Sequence, residues 1–153
     1  MNEITLMYQN IAEVEWEDNF LDFIDSILDE LKLNNWEMSV TLCNNDYIHS
    51  INKEYRHIDK PTDVISFVMS DEPMPLEQDE DDLYSAGDIV ISLEYVKENS
   101  EYFKVSEVEE LKRVTIHGIL HLMGMDHKTN NDDELMLIEQ ERILELFKDE
   151  EIY

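Results

Sequence analysis

IHGILHLMGMDH, residues 116–127, contains three of the chain's five histidines and two of its three glycines. The apolar spacing from Leu111 to Met123 predicts a helix, on which His117 and His121 stand one turn apart on one face. Two imidazoles so placed can share one metal ion. A continued helix would carry His127 away from them. Gly124, just past the last periodic position, is expected to adopt a left-handed conformation, end the helix and turn the chain back.

The resulting pattern, His-x3-His-x2-Gly-x2-His, has the ligand spacing of the long zincin motif, with one departure. Where metal proteases place a glutamate directly after the first histidine, this chain has Gly118, so a metal cage is expected without the protease's general base. Imidazole nitrogen suits zinc and also nickel, copper or iron. Zinc is the default. Three protein ligands, His117, His121 and His127, would leave a fourth position open, as in a catalytic rather than a structural site. The competing view makes the histidines helix-surface or hydrogen-bonded core groups, which would leave their spacing around a glycine turn unexplained.

A length of 153 residues suits one domain, residues 1–153, able to bury an ordinary core, and 42% hydrophobic with 32% charged residues is a globular composition. No apolar run approaches the ~20 residues that span a bilayer. The opening MNEITLMYQN lacks the basic and apolar regions of a secretory signal. A cytoplasmic protein with no membrane partner is the expectation, and the single Cys43, in a β-like run, reads as buried. Eleven Lys and Arg against 38 Asp and Glu give a net charge of −27, which repels phosphate backbones at long range. Any polyanionic substrate must therefore be drawn by a local site holding a cation and a few basic groups, or be delivered by a partner.

Outward from the histidine stretch, hydrophobic periodicity predicts four strands and five helices. Strands are expected at 3–9, 38–44, 63–69 and 87–92, the third of them central because its run DVISFVM is β-branched and aromatic. Helices are expected from Trp16 to Leu33, stopped by Asn34 and Asn35; from an Asn44 or Asn45 cap to Tyr55, with Ile48, Ile51 and Tyr55 inward; and from Ser92 toward Phe103. Ser106 and Glu109 form a capping box that starts the histidine helix. A last helix runs from Asp133 to Lys148, with Leu135, Ile138, Ile143, Leu146 and Phe147 available for packing. His49 reads as structural or exposed, and residues 70–86, with two prolines and an acidic cluster, as a solvated loop. Arg56, His57 and Lys60 concentrate positive charge in one segment, unless Arg56 merely pairs with a carboxylate.

Three segments together resemble one family: Asn52-x3-Arg56-x4-Pro61-Thr62-Asp63-Val64-Ile65-Ser66-Phe67, then Gly87-Asp88-Ile89, then His117-Gly118-x-Leu120-His121-Leu122-x-Gly124-x-Asp126-His127. They are similar to the signature of the YbeY-type endoribonucleases, bacterial metal-dependent enzymes of ribosomal RNA maturation and small-subunit quality control. Met125 stands where that family usually has tyrosine. The resemblance implies an α+β fold with a mixed four-stranded sheet packed by helices, one Zn²⁺ on His117, His121 and His127, and Arg56 as the functional basic residue. The implied partners are ribosomal RNA and the small ribosomal subunit with its proteins. Asp88 and Asp126 are candidates for a general base or for orienting a histidine, Asp126 more in the orienting role. A zinc peptidase-like hydrolase, or a non-catalytic ribosome-assembly factor with a structural metal, are the other readings.

Overall fold

A computed structural model of the chain describes residues 1–69, 83–125 and 134–153. Its elements are β1 (Glu3–Gln9), α1 (Glu17–Glu30), β2 (Trp36–Cys43), α2 (Asn45–Arg56), β3 (Val64–Val68), β4 (Tyr84–Ser92), α3 (Leu93–Phe103), α4 (Glu107–Leu122) and α5 (Leu135–Leu146). The architecture is α+β. One mixed sheet has the order β1-β2-β4-β3, with β1, β2 and β4 parallel and β3 antiparallel to β4.

β3 is therefore an edge strand, not the central one expected. Its run is apolar on both faces because each face meets a helix: Ile65 packs with Cys43, Ile48 and Val90 on the α2 side, while α4 covers the other face. Helix cover on two sides gives an edge strand the composition of an interior one. β4 begins at Tyr84, earlier than the expected Gly87, so part of the anticipated loop is strand; residues 70–82 of that loop lie outside the described residues.

The main core lies between the sheet and α1, α4 and α5, built from Phe20, Phe23, Ile24, Trp36, Val40, Ile89, Leu111, Ile119 and their neighbours. β1 alternates as expected, turning Ile4, Leu6 and Tyr8 toward this core. α1 stops at Glu30, short of Leu33, and Lys32 and Asn35 both adopt positive φ in the turn that follows. Cys43 is fully buried, and that burial pushes its thiol up to about 12.

Side-chain caps set three of the helices. Asn44 accepts from Tyr47 N at 3.0 Å, Ser92 from Tyr95 N at 3.3 Å and Ser106 from Glu109 N at 3.0 Å. Only the serine half of the expected capping box is seen, because the Glu109 carboxylate accepts from Arg113 instead. In α2 the inward positions are Ile48 and Asn52, and Tyr55, expected inside, is 59% exposed against the edge of Phe67.

α5 is rotated relative to expectation. It buries Met136, Gln140, Ile143 and Leu144 and leaves Leu135, Ile138 and Leu146 exposed. The inward stripe includes a glutamine, which an apolar-periodicity reading assigns to water. α5 has no basic residue in its last turn, yet its end is capped from outside: the buried Lys112 ammonium donates to the carbonyls of Phe147 at 2.8 Å and Lys148 at 3.2 Å, and to that of Glu150. No helix among the described residues is long and apolar enough to cross a membrane.

Gly87 holds the β3–β4 pairing together. Its φ is +140°, and a Cβ there would lie 2.0 Å from the Phe67 carbonyl oxygen across the ladder. Gly87→Ala is expected to lower stability by about 3 kcal/mol or more, combining backbone strain with a clash against main chain. A urea-unfolding midpoint unchanged by that substitution would contradict this account of the strand pair.

Candidate active site

The expected histidine helix forms as α4, and Gly124 follows its end with φ +94°. Residue 118 faces the sheet: a Cβ on Gly118 would sit 3.0 Å from two carbons of Ile89, and its carbonyl accepts from Ser66 Oγ at 3.2 Å. With that side of the helix against β4 and β3, His117 and His121 turn toward the sheet edge and α5. Their Nε2 atoms lie 3.0 Å apart, with the rings edge-on at 79°.

Both rings line a cleft of about 730 Å³ whose walls are β3 (Val64, Ser66, Val68), α4 (Glu110, Arg113, Val114, His117, His121) and α5 (Leu137, Gln140). Arg56, from the end of α2, and Thr62 and Asp63, from the turn before β3, complete it. The segment after α2 is placed by Asn52, which is buried and donates from Nδ2 to the Lys60 carbonyl at 2.9 Å. His57 ends the helix with φ 59°, turning the chain from Arg56 toward Thr62.

The structure thus brings together Arg56, His117 and His121. His127 and Asp126 lie outside the described residues, and among the described residues no group of three metal-ligating side chains occurs. Asp88 is not a cleft residue. Neighbouring Ile89 faces α4, so Asp88 points to the opposite face of the sheet, where Ser39 Oγ donates to it. His49, as expected, stays apart and pairs with Asp59 at 2.7 Å.

Electrostatics sort the cleft's cations. Arg113 is committed to carboxylates, donating to Glu141 at 3.2 and 3.3 Å, Glu110 at 3.4 Å and Glu109 at 3.3 Å. Arg56 is exposed and, among the described residues, makes no ion pair, in a chain with 38 acidic groups. The carboxylates on the wall are Asp63 and Glu110. Asp63 accepts from Val64 N at 2.7 Å and Asn99 Nδ2 at 3.3 Å, which fixes the start of β3. Glu110 is buried, and desolvation raises its pKa against the opposing pull of Arg113.

Sequence reasoning missed Glu110, Arg113 and Gln140. Glu110, Val114, His117 and His121 fall at helical spacing on α4, so extending the histidine stripe backward by two turns finds the first of them. Gln140 is signalled by its place four residues after Met136 and four before Leu144.

The family model for Endoribonuclease YbeY matches residues 3–148. The chain is 46% identical over 132 residues to Endoribonuclease YbeY of Treponema denticola, covering 86% of this chain and 84% of the relative. It is 45% identical over 147 residues to that of Borreliella burgdorferi, covering 94% of each. The fold resembles the solution structure of TM1509 from Thermotoga maritima, with a TM-score of 0.63, 28% identity, and coverage of 95% of this chain and 90% of that one.

Glu110 generates a pH prediction. A carboxyl whose folded pKa is raised contributes stability that is full below its unfolded value, roughly 4.3, and is lost as pH rises through the folded one. Glu110→Gln removes that loss. The variant should therefore melt higher than the parent at pH 7, and the advantage should shrink as pH falls toward 4. A melting-temperature difference that does not change with pH would exclude the burial argument.

Proposed function

This chain belongs to the YbeY endoribonuclease family, and from that membership we propose that it is a metal-dependent endoribonuclease that cleaves single-stranded stretches of ribosomal RNA. Its setting is ribosomal RNA maturation and quality control of the small ribosomal subunit, whose proteins are its partners. One Zn²⁺ per chain is held by His117, His121 and His127.

The observation that carries this reading is the pair of Nε2 atoms facing each other at 3.0 Å in a cleft that also holds an arginine with no carboxylate partner among the described residues. A tetrahedral site with Zn–N bonds of ~2.0–2.1 Å has its nitrogens about 3.3 Å apart, so the two rings need only a small opening to share a cation. Imidazole nitrogens without a thiolate also suit an exchangeable site with room for substrate oxygen. When bound, the cation supplies Lewis-acid polarisation and activation of water near neutral pH.

The chain's own residues provide the rest. Arg56 presents a planar fork of donors that matches two phosphate oxygens and stabilises charge accumulating on phosphorus. Because Glu109, Glu110 and Glu141 already hold Arg113, Arg56 is the cleft arginine available to substrate. A net charge of −27 repels RNA at distance, so capture depends on a local site such as this cleft or on delivery by a partner. The peptidase reading is disfavoured by Gly118: the position that carries a protease's glutamate faces Ile89 rather than the histidines, and even a Cβ there would crowd Ile89 at 3.0 Å.

Arg56→Lys is expected to reduce RNA cleavage about a hundredfold despite keeping the charge, because the fork is lost. Near-parental turnover would remove Arg56 from the reaction. Chelator treatment should abolish cleavage of RNA and Zn²⁺ should restore it, with casein untouched throughout. His121→Ala separates the enzyme from a non-catalytic assembly factor: retained fold and ribosome association with no cleavage supports the former, and a wild-type chain inert toward RNA under every metal supports the latter.

A further inference from the structure

Gln140 is 7% exposed, on the inward stripe of α5 between Met136, Ile143 and Leu144. A buried amide is costly unless both its ends are satisfied. Here they are. Gln140 Nε2 donates to Glu141 Oε2 at 3.2 Å, and Gln140 Oε1 lies 2.6 Å from His117 Nδ1.

The roles in this chain are forced by which groups can donate. An ionised carboxylate only accepts, so the end of the amide that meets Glu141 must be the NH₂. The other end is then the carbonyl oxygen, which also only accepts, so the His117 nitrogen facing it must carry a proton. In a neutral imidazole with Nδ1 protonated, Nε2 holds the lone pair. That atom is the one directed at His121 Nε2. Arg113, bonded to both oxygens of Glu141, keeps the carboxylate from turning away.

We infer that Gln140, held by Glu141 and through it by Arg113, is a positioning residue that fixes the tautomer of His117 and aims its Nε2 lone pair at the bound cation. The inference rests on the metal reading of the preceding subsection, yet the tautomer itself is a property of the metal-free protein. It also accounts for Arg113, which lines the cleft with its donors taken up by Glu109, Glu110 and Glu141. Its guanidinium orients the amide that orients the ligand, and Arg56 is left for phosphate.

Two readouts test this in the full chain. The first is the ring tautomer of His117 in metal-free protein at pH 8, from long-range ¹H–¹⁵N spectra. The second is Zn²⁺ affinity by competition with a chromophoric chelator. Wild type should show the Nδ1–H form. Gln140→Leu, which removes the acceptor, should shift the ring toward the Nε2–H form and weaken Zn²⁺ binding about 10–100-fold. Gln140→Glu keeps an acceptor oxygen toward His117 while giving up the donor to Glu141, so it should retain the Nδ1–H tautomer. A wild-type ring in the Nε2–H form overturns the inference, as does a folded Gln140→Leu that binds Zn²⁺ within twofold of wild type. An Nδ1–H ring in a protein that binds no Zn²⁺ leaves the tautomer assignment supported and overturns the metal reading instead.

Discussion

The close approach of α4 to the sheet at Gly118 governs the rest of the site. With no side chain at that position, the helix settles onto Ile89, and Ser66 Oγ bonds the Gly118 carbonyl from β3. Once one side of α4 is fixed in this way, the direction of every other side chain on it follows from the helical repeat. Leu111, Ile119 and Leu122 enter the core, and Glu110, Arg113, His117 and His121 line the cleft. The same contact makes the position a tight one: a Cβ there would press on Ile89 at 3.0 Å.

Charge distribution separates recognition from support. Arg142 is held by Glu30 and Glu139, Lys148 by Glu145, and Lys112 by backbone carbonyls. Exposed ion pairs such as the first two contribute little to stability individually. Their effect in a chain this acidic is to occupy basic groups, and of the three arginines Arg56 is the one that makes no ion pair among the described residues. Two arginines in one cleft thus differ: Arg113 is bound by carboxylates and holds the protein's own side chains, whereas Arg56 is unpaired among the described residues, as the proposed anion contact requires.

Much of this is legible in the sequence, and the failures have physical causes. Helix starts at Asn44, Ser92 and Ser106 can be read because capping is a local interaction between a side chain and an amide three residues on. The β1 alternation and the Gly124 break are legible for the same reason. Strand order is not, since DVISFVM describes cover on two faces and says nothing of a neighbour on the outer edge. The phase of α5 escapes a periodicity reading because its inward stripe is interrupted by Gln140, whose partner, His117, is 23 residues away. Motif alone puts Asp88 with the site, and the two-residue strand period sends it to the other face of β4.

The parallel pairing of β2 with β4 joins Ser39 to Asp88, 49 residues apart, and leaves β3 inside the loop so closed. Non-local contacts of this kind form late and slowly, on the millisecond-to-second scale rather than in microseconds. α4 and then α5 follow β4 in the chain, and both wall the cleft. During synthesis the sheet strands therefore leave the ribosome before α4 and α5, so both the cover these helices give the sheet and the wall they give the cleft await the last third of the chain.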